Sequence, residues 1–261
     1  MRIFILLAFL GTWVQAAELA PTGTLRAVFL GDNPVQGRKD PVTGAYTGLV
    51  ADLTKELARK LGIPFTLIPA PDTKSLIASM KEHKADVGFL AWEAKRAEEV
   101  DFAGGYLLMF NSFLVPANSP IHKSADADRK GVKVGGVRGQ SQQIYLGANF
   151  KNATMRIFEE TPSREEMQRL LTSGELDAFG INRQRSVDAQ NASGGKLRAL
   201  DDSFLQVEQA FVVEKGDPAK LAYLNKFVDE LRESGFVQQS ITRAKLSGVG
   251  VSPGKTIQRP K

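Results

Sequence analysis

The sequence predicts an α/β protein of two lobes joined by two crossing strands, a hinged clamshell. Three observations predict it. Short apolar strands alternate with helical segments, which implies βαβ units and a largely parallel sheet. The alternation pauses at Ser112-Phe113-Leu114-Val115-Pro116 and restarts at Val132. A late apolar strand, Ala210-Phe211-Val212-Val213, then returns the chain to the first lobe. Lobe one is thus expected at 22–112 and 209–246, lobe two at 116–208, and a loose Gly/Pro-containing tail at 247–261. Folds of this kind take a small molecule in the cleft between the lobes.

Each element has a local reason. Leu25 to Leu30 is a short apolar strand that ends in the turn cluster Gly31-Asp32-Asn33-Pro34. Asp40-Pro41-Val42-Thr43-Gly44 is a second turn. Leu49, Leu53, Leu57 and Leu61 recur at helical spacing, and Gly62 stops that helix as a glycine just past its end. Strands are expected at Phe65 to Ile68 and Val87 to Leu90, with an amphipathic helix from Ser75 to Lys81 between them. In the second half, Val132 to Gly135 is a strand and Gln142 to Leu146 a helix. Met155 to Phe158 is the next strand. Ser163-Arg164-Glu165-Glu166 has capping-box spacing and opens a helix through Leu171. Leu176 to Gly180 is a strand, and Ala219 to Leu231 an amphipathic helix.

The ends and the composition narrow the classes. Arg2 followed by the apolar run Ile3 to Trp13, with Val14-Gln15-Ala16 after it, reads as a secretory signal peptide over residues 1–16. The run is too short to serve as a spanning helix. Export places the protein in the periplasm. The chain has no Cys, which removes disulfides, thiolate nucleophiles and Cys-ligated metals together. Removing Arg2 with the leader leaves 33 basic against 29 acidic side chains, a net charge of +4. No basic patch is interleaved with aromatics, so nucleic acid is not an expected partner. Monomer is the default state.

Lys84 to Phe102 is the most informative stretch. It reads as a buried strand, a polar loop and then Arg96 ahead of a second strand. An Arg at the carboxyl end of a parallel strand sits where α/β sheets bind ligands, and its planar fork suits a carboxylate. The plainer reading pairs Arg96 with Glu93, Glu98 or Glu99 on the surface. In the second half, Arg138-Gly139-Gln140-Ser141-Gln142 leads into a helix whose N-terminus favours an anion. Ser141 could equally be a simple cap there.

Four segments together resemble the bacterial extracellular solute-binding proteins of the family-3 type, the amino-acid-binding class of ABC importers. They are Gly23-Thr24-Leu25-Arg26, Thr47 to Leu57, Ala85-Asp86-Val87 through Arg96 to Asp101-Phe102-Ala103 with Tyr106, and Gly174 to Ala178. The resemblance implies the type II periplasmic-binding-protein clamshell, closing around a solute and docking a membrane permease. It implies that Arg96 holds a carboxylate and that the Ser141 loop lies beside it.

The segment also departs from that pattern. Leu90-Ala91-Trp92-Glu93-Ala94 is shorter than the family's loop and carries no hydroxyl. Asn182 stands where the family places the acid that pairs with an α-ammonium, and Arg183 follows it. The turn after the first strand reads Asp32-Asn33-Pro34, and Asp32 could still hold a cation. The expected ligand-binding set is Arg96, Ser141, Asn182, Arg138, Gln140, Trp92, Asn33 and Asp32. Its balance leans cationic, which suits a small anionic or zwitterionic solute with no obligatory ammonium. Trp92 would stack on a planar group, or serve as a hydrophobic lid or core residue.

No catalytic residues, metal or cofactor are expected. Gly139-Gln140-Ser141-Gln142-Gln143 fails the nucleophile-elbow pattern at its last position. His83 and His122 lie in polar surroundings that suit solvated side chains. The alternatives are a lyase of the same fold, using Glu93 or Asp32 as acid or base, and a ligand-sensing accessory module.

Overall fold

The computed structural model describes residues 18–254. The expected leader at 1–16 and the basic residues Lys255, Arg259 and Lys261 lie outside the described residues. The chain divides into two units. Unit one comprises residues up to Leu107, Glu208–Lys245 and the chain from Val251; unit two comprises Leu108–Val207 and Leu246–Gly250.

Unit one is built from β1 (Leu25–Leu30), α1 (Leu49–Leu61), β4 (Phe65–Ala70), α2 (Thr73–Lys81), β5 (Val87–Ala91) and the short α3 (Ala94–Ala97). A small hairpin of β2 (Arg38–Lys39) and β3 (Tyr46–Thr47) follows β1. β1 runs parallel to both β4 and β5. The expected stops are present. Gly62 takes φ 71° and its N–H reaches the carbonyls of Ala58 and Arg59. Asp72 accepts the Ser75 N–H at 2.7 Å, so α2 begins two residues earlier than its apolar pattern implies.

Unit two repeats the plan with β7 (Lys133–Val137), α4 (Ser141–Asn149), β8 (Thr154–Phe158), α5 (Arg164–Thr172), β9 (Ala178–Asn182), α6 (Arg183–Ala192) and β10 (Leu197–Ala199). β7 is parallel to β8 and β9. Ser163 accepts the Glu166 N–H at 3.2 Å, which is the cap its spacing predicts.

Two strands serve both units. β6 (Val100–Pro116) is one 17-residue strand and β11 (Leu205–Glu214) is the return. β11 pairs antiparallel with β5, and β6 pairs antiparallel with β9. Asn111 and Ser112 belong to unit two rather than lobe one, because their bonds run there. The Asn111 N–H donates to Ser203 Oγ at 3.2 Å, and Ser112 Oγ donates to the Leu200 and Asp202 carbonyls at 2.9 and 2.7 Å. Within β6, Gly105 has a physical reason: a Cβ there would stand 2.1 Å from the Glu208 side chain.

Each unit has its own core. In unit one Phe89, Tyr106 and Phe211 pack as an aromatic cluster, with Phe89 and Phe211 4.5 Å apart. In unit two Phe113 stacks on Phe204 at 4.6 Å, and Leu170, Leu176 and Phe179 bury the other face.

Three segments differ from expectation. α6 carries almost no apolar stripe; its buried side chains are Gln184, Ser186 and Ala189, so periodicity could not reveal it. After α7 (Pro218–Glu233), a further helix α8 (Phe236–Arg243) forms, anchored by Val237 and Ile241. The tail is not loose over its first half. β12 (Val249–Val251) pairs with β6, and Ser252 is buried, donating its N–H to the Tyr106 carbonyl at 3.2 Å and its hydroxyl to Glu208. The open backbone of β6 supplies partners that the Gly/Ser-rich composition of this segment does not advertise.

Candidate functional site

In unit one the candidate residues gather at the carboxyl end of β5. All five residues of that strand are buried. α3 then turns Arg96 inward, where it is 6 % exposed and donates Nη1 to the Ala91 carbonyl at 2.9 Å. Burial penalises the charged guanidinium and lowers its pKa to about 10; the nearby Glu93 charge opposes the shift. Arg96 is thus buried rather than on the surface, and of the three carboxylates named for it Glu93 is the one whose charge acts on it. Trp92 is half-buried and packs on the unit-one core, while its backbone N–H donates to the Glu208 carbonyl at 2.9 Å. Its ring is an apolar wall to this end of the sheet.

The turn after β1 holds the next two candidates. Asp32 is exposed. Asn33 accepts the Val35 N–H at its side-chain oxygen, at 3.1 Å, and its carbonyl takes the Gln36 and Gly37 N–H groups. Two neighbouring residues escaped the sequence reading. Gln36 is buried, accepts the Leu30 N–H at 2.7 Å and donates to the Phe89 carbonyl at 3.1 Å, tying the carboxyl ends of β1 and β5. Gln209 lies in register with Ala91 and is buried, and its Nε2 has no hydrogen-bond partner among the described residues. A glutamine inside an otherwise apolar strand is the signal that could have found it.

In unit two the α4 N-terminus and the β9 end come together. Ser141 opens α4 at 3 % exposure, and its hydroxyl has no partner among the described residues. Gln140 is the N-cap and makes no side-chain cap bond. Arg138 is exposed and pairs with Glu159 at 2.8 Å. Asn182 ends β9 and caps α6, accepting the Arg185 N–H at 2.9 Å. It is in register with Asn111 of β6, and Gln142 Nε2 donates to Asn111 Oδ1 at 2.6 Å. Asn111 Nδ2 in turn reaches the Leu205 carbonyl at 3.3 Å. Arg183 turns its guanidinium to the carbonyls of Leu200 and Asp201, at 2.6 and 2.7 Å.

The histidines are peripheral. His83 is exposed and lies 3.0 Å from Glu214; His122 is exposed on a loop. No group of three or more metal-ligating side chains is assembled among the described residues. No described helix is long and apolar enough to cross a membrane.

The chain is similar to known proteins in sequence and fold. The model for bacterial extracellular solute-binding proteins, family 3, matches residues 26–243. The L-cystine-binding protein TcyJ of Escherichia coli K12 is 25% identical over 198 residues, covering 75% of this chain and 73% of that protein. An L-arginine-binding protein of Pseudomonas aeruginosa is 23% identical, covering 89% and 93%. Among solved structures, an amino acid ABC transporter substrate-binding protein of Streptococcus pneumoniae, bound to L-arginine, superposes with a TM-score of 0.72 at 21% identity, covering 87% and 96%. An ancestral amino-acid-binding protein, a precursor of cyclohexadienyl dehydratase, gives 0.73 at 23% identity, covering 88% and 98%. The fold is the two-lobed type II periplasmic binding protein fold.

Proposed function

The chain belongs to the bacterial extracellular solute-binding proteins, family 3, and from that membership we propose that it is an exported binding protein that captures a small carboxylate-bearing solute and hands it to an ABC importer. The observation that carries this reading is Arg96. A guanidinium buried to 6 % exposure at the carboxyl end of a parallel strand is costly, and an anionic ligand offsets that cost. Its depressed pKa records the cost, and a bound carboxylate would relieve it. The planar fork fixes the orientation of a carboxylate as well as its charge.

Ser141 and Asn182 are the contacts we assign to unit two, with Trp92 as an apolar wall. Gln140 and Asn33 are the uncharged members that complete the assigned set. Asp32 and Arg138, both exposed, would act on the solute through their charge at longer range. The chemistry required is capture, with no bond made or broken. The signal peptide and the periplasmic location belong to the same proposal, as does the permease that would receive the loaded protein.

The test is calorimetry on purified protein, after the co-purified ligand has been released and identified by mass spectrometry. Arg96→Ala should abolish rebinding of that ligand while the circular dichroism spectrum is unchanged. Near-wild-type affinity in Arg96→Ala would overturn the assignment of the anchor.

A further inference from the structure

The polar cluster of unit two is built from Ser141, Asn182, Asn111 and Gln142 and contains no carboxylate among the described residues. Asn182 accepts the Arg185 N–H through Oδ1. Only the oxygen of an amide can accept, so this bond fixes the orientation of the side chain and leaves Nδ2, a donor, as its other polar atom. The Asn111 side chain is engaged by Gln142, which donates to its Oδ1, and by the Met109 and Leu205 carbonyls, which take its Nδ2. The Ser141 hydroxyl is buried without a partner among the described residues, an arrangement that a ligand atom would complete. The neighbouring acids are engaged elsewhere: Asp188 with Gln184, Asp201 with Arg183, Asp202 with Ser124, and Glu159 with Arg138.

We infer that the group of the solute received by unit two is an acceptor oxygen, the keto oxygen of an α-keto acid being the simplest case, and not an ammonium. This rests on the solute-binding reading above and specifies its substrate class. A buried ammonium needs a carboxylate or several converging acceptors to offset its lost hydration. The cluster presents an amide N–H₂ and a hydroxyl instead. A keto oxygen takes a hydrogen bond from each and brings no positive charge.

The experiment uses paired probes on the full exported chain: α-ketoglutarate against L-glutamate, pyruvate against L-alanine, and α-ketoisocaproate against L-leucine. Each pair differs only at the α-carbon, where a planar C=O replaces a tetrahedral CH bearing an ammonium. In at least one pair, calorimetry should give the keto acid an affinity at least about ten-fold higher. Asn182→Asp keeps a competent cap for α6, because aspartate accepts the Arg185 N–H equally well. It replaces the amide N–H₂ with a charge, and should move the keto-to-amino preference at least about ten-fold toward the amino acid. Tighter binding of the amino acid by the unaltered chain, or an unchanged ratio in Asn182→Asp, overturns the inference. If no probe binds, the ligand released from the purified protein decides. A released solute with an α-oxygen supports the inference. One with an α-amine overturns it and leaves the solute-binding reading standing. A chain that neither releases a solute nor binds any probe overturns both.

Discussion

Arg26 and Asp86 join the first and third strands of the parallel sheet in unit one by a reciprocal clasp. The Arg26 N–H donates to Asp86 Oδ2 at 2.8 Å, the Asp86 N–H donates to the Arg26 carbonyl at 2.8 Å, and the guanidinium closes on Asp86 Oδ1 at 2.7 Å. Unit two repeats the backbone half of this clasp. The Lys133 N–H donates to Asp177 Oδ2 at 2.8 Å, and the Asp177 N–H to the Lys133 carbonyl at 2.9 Å. The Ala-Asp-Val and Leu-Asp-Ala motifs of the sequence are therefore structural. Each starts the strand whose far end carries a candidate ligand contact, Arg96 in one unit and Asn182 in the other.

The two clasps differ in burial, and their removal should differ in cost. The Asp86 side chain is 3% exposed and Arg26 22%. Asp86→Ala leaves a half-buried guanidinium and a backbone N–H without their partner, and should cost about 3–5 kcal/mol. Asp177 is partly exposed and its clasp lacks the guanidinium arm, so Asp177→Ala should cost only about 1 kcal/mol. Urea unfolding of both variants checks the ranking.

Binding at Arg96 should carry a pH signature. Its pKa in the folded protein is lowered to about 10 by burial. An anion stabilises the charged form, so affinity for a carboxylate should be flat below about pH 9 and fall as pH rises through 10. Titration calorimetry across that range reads the effect. A flat profile to pH 11 would mean that the carboxylate is held elsewhere, a pH about one unit above the group's own midpoint.

Gly105 is constrained by Glu208. Gly105→Ala would place a methyl group 2.1 Å from that side chain and should destabilise by about 1–3 kcal/mol. Shortening the obstacle should relieve it: Glu208→Ala combined with Gly105→Ala should lose less than the two single changes together. Thermal melts of the three variants measure the coupling.

Acid sensitivity should have a contribution from Glu175. Hydrogen bonds from Arg169 and Arg156 hold its carboxyl down to about 2, from an ordinary 4.5. A carboxylate whose folded pKa is depressed contributes stability above its unfolded pKa and loses it as pH falls through the folded one. Glu175→Gln should therefore lower stability somewhat at neutrality and flatten the profile between about pH 4.5 and 2, the two chains converging at the acid end. The group is exposed, so screening by salt should shrink the difference.

Much of the architecture was legible in the chain because it rests on local rules. Apolar periodicity placed α1 and α7, Gly62 marked the end of α1 and Ser163 the start of α5, and the pause near Pro116 marked the restart of the βαβ pattern. Arg96 stood out as a candidate because a lone Arg after a buried strand, ahead of Asp101-Phe102, is a compact signal. α6 was not, since its residues are polar and its stability comes from the Asn182 cap and packing at Ala189. Nor was β12, whose partner backbone lies about 140 residues earlier in β6, a pairing no local window contains.

By itself the sequence determined most of the element order, the α/β plan and the family of the chain, because those strands, helices and caps are specified within a few residues of one another. The tertiary structure decided how each site residue is used. Arg96 and Arg138 are the same residue type near similar strand ends, yet one is buried against Ala91 and the other pairs with Glu159 in water. Asn182 and Asn111 face each other only because β6 and β9 pair in one register. Hydrogen-bond satisfaction and desolvation depend on partners distant in sequence, so the chemical character of the site is a property of the folded chain.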